Sequence, residues 1–368
     1  MRFLVLLLGT WLTAGVAQAQ APLAQSPSAE ATKAEAEAAW STARAISPLT
    51  ASLDREHAEW LAERVVDPQY ATDSDEGWRD RWRRAATRDA AVGAVRIAPA
   101  ALGDACIEAG LMGCGTQLGG WLNAPEGAGR LYWQIQNGST EEDGITAGVV
   151  FLAAQADGRL APVAWTFGGV HFEPPVLIQS GDRLYVASAG VTAGTGAFSA
   201  DVLFRWTPGA ARPLAQIDNE TWRDAALPAM LPPGLEVWKG VQFNYAGLIA
   251  QTSLWRAGDA NCCASGGEAT LDFEIEGDAL KLISVSPDDA VLDFVMTTPA
   301  DVIAWMNRGL MCQHWGGEEG YDADRRAQIT AAVTELRCDA LLSDRAALER
   351  KHAEDPNALA ELARVAAE

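Results

Sequence analysis

Basic side chains are scarce in this sequence. It contains 28 Lys and Arg residues against 49 Asp and Glu residues, a formal net charge of −21. A surface this acidic repels phosphate backbones, so the composition argues against nucleic-acid binding. The excess of acid has two remaining interpretations, which are simple solubility or the binding of a cation or a basic partner.

Long apolar runs are missing from all but the first residues. Residues 3–16 form the one such run, Arg2 precedes it, and Ala17-Gln18-Ala19 follows as a small-x-small cleavage site. We therefore predict that residues 1–19 are a signal peptide and that the protein is periplasmic or secreted. No cysteine stands at the cleavage point to carry a lipid, and no later stretch is apolar enough for a membrane span.

Cysteine is sparse, but an exported chain is expected to use it in disulfides. Spacing along the chain favours the pairs Cys106–Cys114 and Cys312–Cys338. The other two cysteines then form a bridge between neighbours, or the pairs are mixed, because six cysteines allow 15 pairings. The six residues are Cys106, Cys114, Cys262, Cys263, Cys312 and Cys338.

Residues 268–276 carry the clearest strand pattern in the chain. Apolar Ala269, Leu271, Phe273 and Ile275 alternate with acidic or polar residues, which is the period of a strand with one buried face. Gly277-Asp278 then predicts a tight turn and an antiparallel return. Further short apolar runs between 130 and 294 are separated by turn residues, which favours meander hairpins over a parallel sheet.

These patterns predict an α+β fold with an antiparallel β-rich central body and helical segments at both ends. We expect a helical, partly disordered N-terminal segment at 20–98, the β-rich domain at 99–298, and a disulfide-linked helical C-terminal segment at 299–368. Within this plan the glycine-rich stretch 115–129 is interpreted as turns. Gly309 is expected to end the first C-terminal helix, which begins after Thr298.

An arginine cluster lies on the predicted helix that contains Trp78 and Trp82. Such a cluster can bind an anion, or it can be a solvated helix face paired with nearby acids such as Asp75, Glu76 and Asp80. The arginines are Arg79, Arg81, Arg83, Arg84 and Arg88.

Histidine is limited to four residues, which leaves few candidates for acid–base chemistry. His171 follows Gly168-Gly169-Val170 in the β-rich part and is a candidate for a cleft, or else a partly exposed strand residue. Ser265 is not a convincing nucleophile, because position 263 is Cys where a nucleophile elbow needs Gly.

The segment after Cys312 is the densest polar stretch and a candidate for ligand binding through His314, Trp315, Glu318 and Glu319. Cys312, His314 and Glu318 are residue types that can bind zinc. The alternative is a disulfide at Cys312, with the two glutamates at the start of the next helix. We adopt the disulfide and predict neither a metal nor another cofactor.

Two motifs resemble sequences in exported proteins of Gram-negative bacteria that have no characterised family. One is CCxSGG at 262–267, followed by the alternating strand. The other is CxHWxGEExYD at 312–322, with Cys338 on the next helix. The tail 338–359 is also similar to the small cysteine-linked helical domain of lysozyme-inhibitor-like proteins, which has more cysteines. Neither resemblance implies a known reaction.

Two functions fit these observations. The first is a non-enzymatic envelope protein that binds an unknown partner or small ligand, and the second is a hydrolase acting on cell-envelope sugars or peptides. A cleft lined by converging acids or by His171 favours the enzyme, whereas a shallow surface favours binding.

Overall fold

The chain has the mixed α+β architecture expected from its sequence. The computed structural model describes residues 29–66, 71–140, 144–194, 198–256, 259, 263–288, 294, 297–317 and 323–364. The predicted signal peptide at 1–19 therefore lies outside the described residues.

Among the described residues, the α-helices before the sheets are α1 (Ala29–Ile46), α2 (Thr50–Val66) and α3 (Ala71–Ala94). Ala36 and Ala43 on α1 are fully buried, and their small side chains allow close helix contact. Trp60 and Trp82 are fully buried as well, with ring centroids 5.5 Å apart in an edge-to-face arrangement. Helix α1 begins at Ala29, so the segment predicted at 20–98 as helical and partly disordered contains helix from that residue onward.

Asp75 lies inside this helical bundle instead of on its solvated face. Its carboxylate accepts hydrogen bonds from Thr32 Oγ1 at 3.0 Å and Trp60 Nε1 at 2.9 Å, and it pairs with Arg64. The sequence had suggested Asp75 as a surface partner of the arginine cluster, and that expectation is wrong. The three donors make burial of the charge tolerable.

The first four-stranded antiparallel sheet, sheet 1, is a simple meander. Its strands are β1 (Met112–Asn123), β2 (Arg130–Thr140), β3 (Gly144–Ala154) and β4 (Leu160–Gly169).

Strand β1 corrects the prediction that the glycine-rich stretch forms turns. A Cβ at Gly119 would lie 2.4 Å from the Tyr132 hydroxyl, and one at Gly120 would lie 3.1 Å from the Trp133 ring. These glycines therefore leave room for aromatic rings of β2 on both faces of the pair. Glycine weakens strand propensity, which is why its density here concealed a strand.

The second four-stranded sheet, sheet 2, has the strand order β10-β9-β7-β6, and a separate short pair joins β5 to β8. In chain order the strands are β5 (His171–Phe172), β6 (Val176–Ser180), β7 (Arg183–Ser188), β8 (Gly190–Val191), β9 (Val202–Trp206) and β10 (Leu214–Gln216). Two short helices follow, α4 (Thr221–Ala225) and α5 (Leu227–Met230).

The third meander, sheet 3, contains β11 (Gln242–Asn244), β12 (Ile249–Ser253), β13 (Glu268–Glu276) and β14 (Ala279–Pro287). Leu271 and Phe273 are buried while Glu274 is exposed, so the predicted orientation of β13 is confirmed. Glu276 pairs with Ala279 across the predicted two-residue turn, where Gly277 has a φ of 62°.

The three sheets pack face to face in chain order. Phe151 of sheet 1 contacts Phe204 of sheet 2, with ring centroids 5.8 Å apart, in one shared core. Tyr185 and Leu203 point from the other face of sheet 2 into a second core with Leu271 of sheet 3. Sheet 2 is thus covered on both faces, and this accounts for the nearly continuous apolar runs of β7 and β9.

Helix α3 covers part of the outer face of sheet 1. Val92 packs with Val150, Leu152 and Trp165. Trp165 also donates its indole N–H to Asp89 on α3, at 2.9 Å. The N-terminal helices are therefore attached to the β body by both apolar packing and a buried hydrogen bond.

Within the described C-terminal ranges, the α-helices are α6 (Ala300–Gly317), α7 (Ala323–Glu335), α8 (Leu341–Lys351) and α9 (Pro356–Arg364). A disulfide joins Cys312 to Cys338. Gly309 does not end the first of these helices as predicted, because α6 continues past it to Gly317. Asp355 caps α9 by accepting hydrogen bonds from the backbone N–H groups of Asn357 and Ala358.

The C-terminal helices pack against one end of sheet 3. Val302 and Met306 of α6 and Leu362 of α9 share a core with Leu254 and Ala269. Within the described ranges, no helix has the length and apolar character that crossing a membrane requires.

Candidate functional site

A cleft of about 720 Å³ lies between the N-terminal helices and the end of sheet 1. Its volume falls in the range that small-molecule sites occupy. We call it the interface cleft, and three structures form its walls: helices α2 and α3, the loop 108–111, and the ends of β2, β3 and β4.

The helical wall of the interface cleft is basic. Arg81, Arg84 and Arg88 line it, and their spacing of three and four residues places them on one face of α3. Arg81 donates to Glu56 of α2 at 2.6 Å, and Arg88 donates through Nε to Asp89 at 3.0 Å. Arg79 and Arg83, which do not line the cleft, pair with Asp80 as the solvated-face interpretation of the arginine cluster expected, and the anion-binding interpretation stays a prediction.

Asp89 is the buried acid of this wall, with 1% of its surface exposed. Its Oδ1 accepts hydrogen bonds from Arg88 Nε at 3.0 Å and Trp165 Nε1 at 2.9 Å. Its Oδ2 has no hydrogen-bond partner among the described residues. A buried carboxylate oxygen without a donor is costly, so this atom favours a donor from outside the described residues.

Glu108 is the buried acid of the loop wall, with 8% of its surface exposed. Its Oε1 accepts a hydrogen bond from the backbone N–H of Gly110 at 2.8 Å, while Oε2 finds no partner within the part of the chain that is described. The Cys106–Cys114 disulfide closes the loop that carries this side chain. The bridge limits the conformations that the loop can adopt.

Two fully buried glutamines of β2 hold the same loop from below. Gln134 and Gln136 each donate to the carbonyl oxygen of Ala105, at 2.9 and 2.8 Å. Gln136 Oε1 in turn accepts the backbone N–H of Ile107 at 3.0 Å. The wall that carries Glu108 is therefore anchored by a disulfide on one side and by side-chain hydrogen bonds on the other.

The strand wall supplies threonine hydroxyl groups and, at Gly168, backbone that carries no side chain. Thr140, Thr146, Thr166 and Thr192 line the cleft, together with the backbone of Gly168. A Cβ built on Gly168 meets only Thr166 Oγ1, at 3.7 Å, so there is free space above this residue. The walls together offer cationic, anionic and hydroxyl groups, which suits a small polar ligand.

Sequence reasoning did not identify Glu108, and it named Asp89 neither as a buried group nor as a site residue. Their cleft position depends on contacts between distant parts of the chain, such as the bond from Trp165 to Asp89. One signal was available, because Glu108 stands between the two cysteines of a predicted short disulfide loop.

His171 does not contribute to the interface cleft, although the three residues before it do. It is exposed, and its Nε2 lies 3.1 Å from Glu173 Oε1. The sequence left two interpretations of His171, a cleft residue or a partly exposed strand residue. The structure agrees with the second.

In the polar segment after Cys312, the described Trp315 does not line the interface cleft. Trp315 is partly buried on α6, with the Arg325 guanidinium 5.4 Å from its ring centroid. His314 lies in the same helix and its side chain is outside the described structure, as are Glu318 and Glu319.

The zinc interpretation of this segment is not supported. Cys312 forms its disulfide with Cys338, so its thiolate is not available as a ligand. Among the residues that the structure describes, no group of three or more His, Cys, Asp or Glu side chains could hold a metal ion.

The proposed pairs Cys106–Cys114 and Cys312–Cys338 are confirmed. Cys263 is also disulfide-bonded, while Cys262 lies outside the described residues.

Ser265, next to the cysteine pair, is part of a structural network. Its Oγ donates to Asp259 Oδ1 at 2.6 Å, and Asp259 also accepts from Arg364 of α9 at 2.9 Å. This network connects Ser265 to the last helix, and among the described residues no histidine takes part in it.

Asp201 is a further buried acid, and it directly precedes β9. Its Oδ1 accepts the backbone N–H of Gly190 at 2.6 Å. Burial raises the pKa of Asp201 to about 7, against the opposing effect of that hydrogen bond. Asp201 does not line the interface cleft.

Comparisons with known proteins leave this geometry as the main guide to function. No protein-family model matches the chain, and no curated protein matches it.

Proposed function

We propose that this protein is an exported, non-enzymatic envelope protein that binds a small polar ligand in the interface cleft. The observation that carries the proposal is the loop wall: Glu108 is held at the cleft by the Cys106–Cys114 disulfide and by hydrogen bonds from the buried Gln134 and Gln136. Rigid support of this kind lowers the entropy cost of binding, so it is typical of sites built to hold a ligand.

Export is part of the proposal. The disulfides Cys106–Cys114 and Cys312–Cys338 are typical of an oxidising compartment, and the signal-like residues 1–19 agree with it. The motif resemblance to exported Gram-negative proteins points to the same compartment.

Hydrolysis is the second candidate, because two buried acids line the same cleft. Asp89 and Glu108 each use one carboxylate oxygen in a hydrogen bond that stabilises the fold. A general acid or base must reach the reacting atom of its substrate. The exposures of 1% and 8% make these groups better suited to accept fixed hydrogen bonds than to move with a reacting substrate.

Thermal denaturation tests the proposal with a panel of amino acids, dipeptides, monosaccharides and inorganic phosphate. A ligand present at about 100 times its Kd stabilises the folded state by about 2.7 kcal/mol, which raises Tm by a few degrees. We expect at least one panel class to produce this rise in the wild-type protein.

The variant Gly168→Leu is designed to fill the cleft, because a Cβ at this position has space around it. We expect it to fold normally and to lose the rise in Tm. Gly77→Leu, on α3 and with no atom within 4 Å of its Cβ, is the matched control and should keep the rise. An unchanged Tm with every panel member, or a rise that persists in Gly168→Leu, would contradict the proposal. Breakdown products of a bound compound would instead support the hydrolase.

A further inference from the structure

We propose that the ligand of the interface cleft is zwitterionic, an amino acid or a short peptide with a free ammonium group and a free carboxylate. This inference rests on the proposed function and goes further by assigning the chemical class. It starts from two buried acids that line one cleft and that each have one carboxylate oxygen without a partner among the described residues.

Glu108 is the acceptor that we assign to the ligand's ammonium group. Its Oε1 is engaged by the backbone N–H of Gly110, and this bond orients the carboxylate in the loop wall. Its Oε2 has no donor among the described residues, and the side chain is more than nine-tenths buried. An ammonium group brings three donors and a positive charge, so it satisfies both the hydrogen bond and the buried charge.

Arg84 and Arg88 are the donors that we assign to the ligand's carboxylate. They stand four residues apart on α3, and both line the cleft. Arg88 is bound to Asp89 through Nε, and a guanidinium carries further N–H donors suited to a carboxylate. Arg84 and Arg88 lie on α3 whereas Glu108 lies in the loop wall, so a ligand that contacts these three residues meets both charges.

The charge balance of the cleft favours a ligand of zero net charge. Arg81, Arg84 and Arg88 are matched by Glu56, Asp89 and Glu108. A purely anionic ligand would meet these acids and the net charge of −21 of the whole chain, and a purely cationic ligand would meet the arginines. The threonine hydroxyls of the strand wall can bond the peptide groups of a short peptide.

Calorimetric titration with alanyl-alanine, its N-acetyl derivative and its C-terminal amide tests the assignment. We expect the free dipeptide to bind about tenfold more tightly than either blocked form, because each block removes one charged contact. Glu108→Gln should weaken the free dipeptide about tenfold and leave the N-acetyl form within about twofold. Arg84→Gln should weaken the free dipeptide and leave the amide form unchanged.

The matched controls are Glu274→Gln and Arg83→Gln. Glu274 is exposed on β13, and Arg83 lies on α3 beside Glu35 and Asp80, outside the cleft. Both should bind the free dipeptide as the wild type does. Circular dichroism of each variant verifies that it is folded.

Three outcomes would overturn the assignment. Equal binding of the free and N-acetylated dipeptides would remove the role of Glu108, and the cleft would remain a ligand site. If only a monosaccharide or phosphate binds, and Gly168→Leu abolishes that binding, the zwitterionic ligand class is wrong and the proposed function still holds. Absence of binding across the whole panel would reject the proposed function together with this inference.

Discussion

Buried carboxylates in this protein differ in how completely their charge is compensated. Asp75 receives donors from Thr32, Trp60 and Arg64, so its charge is well supported. Asp201 lies in a buried site with fewer donors: it receives the backbone N–H of Gly190 on Oδ1 and has the Tyr245 hydroxyl close by. A carboxyl with so little support favours its neutral form, and for this reason its pKa is raised.

The raised pKa of Asp201 gives a prediction about stability and pH. The folded-state value of about 7 exceeds the value near 3.9 of an unfolded Asp, so the contribution of this group to stability is complete below pH ~3.9 and is lost as the pH rises through 7. The difference is at most about 4 kcal/mol. Asp201→Asn, which stays neutral, should therefore gain stability relative to the wild type as the pH increases from 4.5 to 7.5.

Urea denaturation at the two pH values measures this effect. Tyr245, close to Asp201, is also buried, and burial raises its pKa well above the ordinary value, so it stays neutral throughout. Asp182→Asn, at an exposed turn, is the control for general effects of removing a carboxylate. A stability difference between Asp201→Asn and wild type that does not change with pH would show that the group is already ionised at pH 4.5.

At the level of secondary structure, regular local sequence patterns were predictable, whereas features that depend on contacts with other parts of the chain were not. The β13–β14 hairpin follows from period-two alternation and a two-residue turn, both of which are local. Strand β1 was missed because its glycines make sense only beside Tyr132 and Trp133 of β2. Helix α6 was predicted to end at Gly309, yet a glycine with open space around it does not by itself stop a helix.

The interface cleft was the least predictable feature for the same reason. Its lining runs from Ser47 to Ala193 in the sequence and includes residues from helices, a loop and three strands. Local patterns do not indicate which of these segments meet. Sequence reasoning identified the arginine cluster and the cysteine loop separately, and only the fold shows that they share a cleft.

The Cys312–Cys338 disulfide gives a prediction at the level of elements. It joins α6 to the segment before α8 across a separation of 26 residues, and the chain-entropy estimate for such a loop is about 3.5 kcal/mol. Replacing both cysteines by serine should speed hydrogen exchange in residues 310–340 and leave the slowest amides of sheet 2 unchanged. Mass spectrometry after non-reducing digestion should show the linked peptide pair in the wild type only.

Equal acceleration of exchange in sheet 2 would show that this bridge supports the whole molecule instead of the C-terminal helices alone. The double serine variant at Cys106 and Cys114 is the comparison, because that bridge constrains a loop of sheet 1. Its faster exchange should be confined to the loop wall of the interface cleft and to the adjacent residues of β1.

The whole molecule is a stack in which each layer buries a face of the next. Helix α3 covers sheet 1, sheet 1 covers sheet 2, and sheet 2 covers sheet 3, with the C-terminal helices at one end of sheet 3. The functional consequence is that the interface cleft lies between the outermost helical layer and the first sheet. A ligand there contacts both of these layers and can strengthen their association without changing the sheets.

Amide hydrogen exchange tests this layered organisation. Strands β7 and β9 lie in the middle sheet, and opening these strands requires their separation from both neighbouring sheets. Their buried side chains are no more than 1% exposed, as seen for Tyr185, Val186, Leu203 and Phe204. We expect the amides of β7 and β9 to exchange slowest, at rates set by global unfolding. Among the long helices, the amides of α2 should exchange fastest, because its Leu61 and Val65 side chains are 37% and 80% exposed. A ligand in the interface cleft should slow exchange in α2 and α3 and leave β7 and β9 unchanged. If β13 and β14 were the slowest instead, the stability of the fold would reside in sheet 3 and the C-terminal helices, and the central position of sheet 2 would not determine it.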